Sequence, residues 1–252
     1  MNIITLILTA LLGLCLGSFI CVAIYRFAPY KTPLKYGYDI TCRRSRCMYC
    51  SKKLSYLSLI PVISWLLQGG RCKYCHHKIA MNYLLAELLV ATYCCVMIVI
   101  YGNTLWSIIL ILLGLYFIIL AIIDFQYLLL PNYFTYPIML AGLVLSYFEQ
   151  NPIQLSDGIL GIILGYVLLW LPATLYYHTK KHIGLGGGDI KLLSALGAWI
   201  HYTQLPVLVV LASIMGILYI ILLACLQKRS LKTVIIPFGP SLLIAAYVIL
   251  LM

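Results

Sequence analysis

A handful of ionisable and thiol side chains stand out in a chain that is otherwise mostly hydrocarbon. Gly184 to Lys191 reads GLGGGDIK, so that Asp189 is introduced by four glycines. An ionisable group among apolar spans is costly and marks a functional site. Asp124, in AIIDFQYLLLPN, lies 65 residues earlier. It follows the third apolar run, where the chain reaches the inner membrane face, and Asp189 precedes the sixth, where the chain leaves that face. Two carboxylates brought together cannot readily both be charged. One keeps a proton, which gives an acid and a base able to activate water against a peptide carbonyl. The structural alternatives are interfacial anchoring and an ion pair between Asp189 and Lys191. Glu87, early in the second span, has its own alternative as an interfacial or bundle-facing group. The other acids, Asp39, Glu149 and Asp157, have ordinary solvated explanations.

Gly186, Gly187 and Gly188 have a reason beside Asp189, since unwound backbone without Cβ atoms can lie close to an extended substrate strand. A phosphate-binding GxGxxG is the weaker reading, because the pattern begun at Gly184 meets Asp189 at its last glycine and no strand precedes it. Lys191 has three readings: it lowers the acidity constant of Asp189, steers substrate, or anchors the helix at the interface.

Cys47-Met-Tyr-Cys50 and Cys72-Lys-Tyr-Cys75 are two CxxC pairs 21 residues apart. Each pair can wrap two thiolates around one tetrahedral zinc, and an insert this small needs a metal to supply folding energy. Disulfides or a dithiol redox motif compete with that reading, and a basic loop facing a reducing compartment favours structural zinc. Four thiolates close the shell, so the ion has no place for catalytic water. His76 and His77 could substitute as ligands, but a solvated role suits them better. Cys15, Cys21, Cys94, Cys95 and Cys225 read as packing residues, and Cys42 has no partner by spacing.

The elements that must position these groups follow from composition. The 252 residues are 64% hydrophobic and 9% charged, with a mean hydropathy of +1.05, which excludes a soluble globular protein. Apolar runs cover roughly 3–24, 83–101, 105–123, 133–148, 159–177, 190–200, 205–226 and 234–252. This predicts an all-α polytopic membrane protein with about eight transmembrane helices, the sixth of them short. No Lys or Arg precedes the first run, so it is a retained helix and not a signal peptide. Eleven of the seventeen Lys and Arg lie between Arg26 and Lys78. They orient the chain rather than bind nucleic acid, because Lys180, Lys181, Lys228, Arg229 and Lys232 fall in inside loops while the outside loops carry Glu149 and Asp157. Residues 1–24 are thus helix one with its N-terminus outside, 25–82 a small zinc-binding cytoplasmic loop domain, and 83–252 a seven-helix membrane core.

Several pieces together resemble the type IV prepilin leader peptidases, bacterial membrane aspartic proteases of the GxGD type. They are LGSFICVAIYR at Leu16 to Arg26, the two CxxC pairs, IPVISWLLQGGRCKYC at Ile60 to Cys75, AELL at Ala86 to Leu89, Asp124 with Leu130-Pro131, GLGGGDIKLLSALGAW at Gly184 to Trp199, and PFGP at Pro237 to Pro240. The resemblance implies that Asp124 and Asp189 are the catalytic pair. They would remove a short basic leader from prepilins or type II secretion pseudopilins at the cytoplasmic face of the inner membrane, with the N-terminus periplasmic. It also implies N-methylation of the new N-terminus from S-adenosylmethionine, an activity associated with the cysteine loop, to which Glu87 is a candidate contributor. The family often has an acidic residue where this chain has Asn132, and an acidic residue plus Asn where it has Ser58-Leu59.

The expectation is therefore an eight-helix aspartyl endopeptidase with structural Zn2+ in its loop and no metal at the peptidase site. Its partners would be prepilin substrates and the lipid bilayer, with no nucleic acid. Rival readings are a transporter with coupling carboxylates, a non-catalytic assembly subunit and a standalone methyltransferase.

Overall fold

A computed structural model of the chain describes residues 2–26, 45–47, 49–182, 184–227 and 237–252. Asp39, Cys42 and the basic residues Lys228, Arg229 and Lys232 lie outside the described residues. Among those described, regular structure is helical, with only two isolated β-bridges. The helices are α1 (Ile3–Arg26), α2 (Ile63–Leu67), α3 (Met81–Tyr101), α4 (Leu105–Tyr127), α5 (Asn132–Tyr147), α6 (Leu155–Lys180), α7 (Gly187–Gly197), α8 (Leu205–Gln227) and α9 (Gly239–Leu251). In lipid a helix satisfies every backbone polar group within its own segment, which accounts for this uniformity.

Each of the eight expected spans contains a helix. Five are long and apolar enough to cross a membrane: α1, α3, α4, α6 and α8. The remaining three, α5, α7 and α9, have 16, 11 and 13 described helical residues, short of the ~20 that a perpendicular span needs.

The chain forms two compact units, Met1–Leu115 and Tyr116–Met252, whose division falls inside α4. In the first, α1 packs along α3 through its GLCLG segment. A Cβ on Gly13 would lie 2.6 Å from Ala91 Cα, and one on Gly17 would lie 2.8 Å from Glu87 Cα. Two glycines four apart let the helix backbones touch, which in lipid is the main source of helix attraction.

In the second unit the short helix α7 is the core. Every residue from Ile190 to Gly197 except Lys191 is buried. Gly161 and Gly165 of α6 lie against the backbone of Gly197 and Leu193, so these two helices are in direct backbone contact. Ser194 donates to Ile162 O at 2.9 Å and Trp199 Nε1 to Ile138 O at 2.8 Å, tying α7 to α6 and α5. The polar run after α7 becomes a 3-10 turn at Tyr202–Gln204, and α8 starts at Leu205 as a separate helix. Because α7 is enclosed by protein, its length is set by its neighbours and not by the bilayer.

Candidate functional site

Asp124 sits three residues before the end of α4 and is 4% exposed. The chain then turns sharply, with Leu128 at φ 53° and its N–H donating to Asp124 O at 2.8 Å. Pro131 follows as the N-cap of α5, its carbonyl accepting the Phe134 N–H at 3.0 Å. Asp189 occupies the first turn of α7, where the unpaired N–H groups of a helix start favour negative charge.

Two contacts of Leu130 show how closely the segments converge. A Cβ on Gly188 would lie 3.0 Å from Leu130 Cβ, and one on Gly239 would lie 3.2 Å from Leu130 Cδ1. Gly239 opens α9, and its N–H donates to Asp124 Oδ2 at 3.1 Å in a buried setting. A Cβ there would run into the same carboxylate oxygen, so only glycine permits this bond. The PFGP motif carried the signal, though it named no partner.

The glycines before Asp189 have distinct surroundings. Gly186 precedes the helix, and a Cβ on it would sit 3.2 Å from Asp189 Oδ2. Gly187 and Gly188 are already helical, and beside Gly187 there is open space out to 4 Å. Between Gly184 and Lys191, the non-helical backbone is the stretch from Gly184 to Gly186. Lys191 Nζ donates to Asn132 Oδ1 at 3.0 Å, linking the starts of α7 and α5.

In the first unit, the Sγ atoms of Cys47, Cys50, Cys72 and Cys75 all lie within 4.8 Å of one another. Cys47 and Cys75, from different pairs, have their sulfurs 3.8 Å apart. Zinc bound to four thiolates at about 2.3 Å defines a tetrahedron with edges of about 3.8 Å, so the cluster fits that ion. The two knuckles are copies of one turn. Arg46-Cys47-Met-Tyr49-Cys50-Ser51-Lys52-Lys53 repeats as Arg71-Cys72-Lys73-Tyr74-Cys75-His76-His77-Lys78. Ser51 N–H donates to Cys47 O and His76 N–H to Cys72 O, both at 2.9 Å, and Ser51 and His76 share positive φ. Each turn is closed by a bridge, Arg46 with Lys53 and Arg71 with Lys78. The repeat RCxYCxxK was present in the sequence and is the signal that pairs the knuckles.

Backbone N–H donors from Cys50 and then Tyr49 outweigh burial and bring the Cys47 thiol down to about 6, the behaviour of a sulfur ready to bind metal as thiolate. At Cys75 the His77 N–H also lowers the value, but burial and the three neighbouring sulfurs prevail and push it up to about 11. Of these two thiols, Cys47 loses its proton first. The His77 ring stacks on Tyr49 with centroids 3.2 Å apart, bracing one knuckle against the other.

Beside the cluster is an open cavity of about 390 Å³ lined by Ser55, Leu57, Ser58, Ser64, Leu67, Gln68, Arg71, Cys72, Lys73 and His76. Hydroxyls, an amide, two leucines and Arg71 together can take a small molecule with an apolar ring, several hydroxyls and a carboxylate. Glu87 on α3 is 8% exposed, and its Oε2 accepts the Val62 N–H from this same loop at 2.7 Å.

The profile of the type IV leader peptidase family matches residues 108–221, and that of the bacterial peptidase A24 N-terminal domain matches residues 11–101. The prepilin leader peptidase/N-methyltransferase of Vibrio cholerae serotype O1 is 35% identical over 255 aligned residues, covering 99% of this chain and 97% of that protein. The chain belongs to the type IV leader peptidase family. Other members include the type 4 prepilin-like proteins leader peptide-processing enzyme of Escherichia coli O78:H11, 30% identical over 91% of this chain and 87% of that protein. A Neisseria gonorrhoeae prepilin leader peptidase/N-methyltransferase is 32% identical over 96% of this chain and 88% of its own length. No solved structure matches the chain. Family membership and five apolar helices together make this a multi-pass membrane protein.

Proposed function

We propose that this protein is a bifunctional membrane enzyme that removes the leader from prepilins or pseudopilins and then methylates the new N-terminus with S-adenosylmethionine. The observation that carries the first activity is the convergence on Leu130 of Gly188, next to Asp189, and of Gly239, whose N–H holds the buried Asp124. Asp124, held by that N–H, is the ionised partner and takes a proton from water. Asp189 keeps the shared proton and gives it to the carbonyl oxygen as the tetrahedral intermediate forms. Collapse of that intermediate breaks the C–N bond: Asp124 passes the proton it took from water to the leaving amine, and a hydroxyl of the gem-diol gives its proton to Asp189 as the new carboxyl group forms. The open side of Gly187 and the non-helical stretch from Gly184 to Gly186 supply room for an extended substrate backbone next to Asp189.

The reaction belongs at the cytoplasmic face of the bacterial inner membrane, with the N-terminus periplasmic and eight helices in the bilayer. Charge sorting supports this, with basic residues in alternate loops. A site at that depth suits a substrate whose scissile bond directly precedes an apolar helix lodged in lipid.

For the second activity, the four thiolates fit structural Zn2+, and the adjoining cavity suits S-adenosylmethionine. When bound, that cofactor supplies an activated methyl group. Arg71 would pair with its carboxylate, Leu57 and Leu67 would offer apolar surface to its adenine, and Ser58, Ser64 and Gln68 would offer polar groups to its hydroxyls. The test is incubation of purified protein with prepilins, with and without S-adenosylmethionine, followed by mass measurement. Leader loss in both arms and a gain of one methyl group only with the cofactor are expected. An unchanged mass throughout would overturn both activities.

A further inference from the structure

Glu87 has no part in the cleavage chemistry, yet it is a buried carboxylate on a membrane-spanning helix. Its single described contact in the loop is with a strained residue. Val62 has φ 60° and ψ −56°, and Ile63 N–H donates to Pro61 O at 2.6 Å, closing a three-residue turn around it. This is the γ-turn of the rare, strained hand. Its centre is a β-branched residue, the type least suited to positive φ. Such a conformation persists only where surrounding structure holds it, and here the Glu87 carboxylate holds the turn by its own N–H.

The turn is also the joint between the two walls of the cavity. The 3-10 helix Tyr56–Leu59 comes before it and contributes Leu57 and Ser58, while α2 follows and contributes Ser64 and Leu67, with Gln68 at its end. Pro61, with fixed φ and no N–H, makes the joint stiffer still. Relaxing Val62 to an ordinary conformation would swing one wall relative to the other.

We infer that Glu87 is a positioning residue for methyl transfer: by latching the Val62 turn from α3, it sets the spacing between the Ser58 and Ser64–Gln68 walls of the donor cavity. The inference rests on reading that cavity as the S-adenosylmethionine site. The experiment uses the full-length protein in detergent, comparing wild type, Glu87→Ala and Glu87→Gln. Glu87→Ala should raise the KM for S-adenosylmethionine about tenfold, the scale of one lost charge-assisted hydrogen bond, with kcat changed far less. Glu87→Gln keeps an oxygen acceptor and should restore the wild-type KM. In parallel, deuterium exchange of a peptide spanning residues 60 to 66 should be slow in wild type and Glu87→Gln and fast in Glu87→Ala. Wild-type KM and exchange in Glu87→Ala overturn the latch, and so does a Glu87→Gln variant that fails like Ala. If the wild type transfers no methyl group, the methyl-donor reading falls, and the exchange result alone then decides for or against the latch.

Discussion

The backbone N–H of Gly239 donates to Asp124 Oδ2 at 3.1 Å, joining two residues 115 positions apart in sequence. A backbone donor cannot swing away or titrate, so it fixes one oxygen of the carboxylate and leaves the other free for water. Because a Cβ at position 239 would meet the same oxygen, Gly239→Ala should displace Asp124 with no change in the ionisable groups. Cleavage kcat/KM should fall at least about 100-fold, the scale of an ångström's misplacement at a reacting centre. Methylation of a peptide supplied already cleaved should be unaffected, which a side-by-side assay of the two reactions checks.

Asp124→Asn and Asp189→Asn preserve shape and remove one titrating group each. Either should lower leader removal by about 10²- to 10⁴-fold, the usual worth of a positioned acid or base. Membrane accumulation, followed by immunoblot, should remain near wild type. Retained cleavage in either variant would sink the dyad.

The Lys191 to Asn132 hydrogen bond ties the first turns of α7, which carries Asp189, to the start of α5, which follows Asp124. Lys191→Met should weaken cleavage only modestly, by about two- to fivefold, because a partly exposed polar pair contributes less than about 1 kcal/mol. Asn132→Asp converts the contact to an ion pair, and thermal unfolding of the purified protein should shift upward slightly at low salt and not at high salt.

The knuckles separate the two activities. Cys47→Ser, or prolonged chelation, should release the metal and abolish methylation, since Cys72 lines the cavity as well as belonging to the cluster. Leader cleavage should persist. Elemental analysis before and after chelation reads the metal, and product masses read the two reactions.

Much of this was legible before any fold was in hand. Hydropathy located every α-helix except the short α2 of the loop, because a chain in lipid must satisfy its backbone hydrogen bonds segment by segment. The CxxC spacing located the sulfur cluster, because two residues is the separation at which one turn of chain presents two thiolates to a single ion. Asp124 and Asp189 stood out because charged groups are scarce in apolar segments. The length of α7 was not readable in the same way, since every apolar run looks alike whether it faces lipid or protein. The burial of its residues and the backbone contacts of Gly161 and Gly165 show that it is enclosed.

By itself, then, the amino-acid order determined which side chains carry charge or bind metal and which segments are helical, since both are local properties of composition and spacing. Tertiary structure alone decided the partners: Gly239 for Asp124, Asn132 for Lys191 and the Val62 turn for Glu87. Two of these three bonds use a backbone N–H as donor, a group every residue but proline possesses, so no residue type announces them.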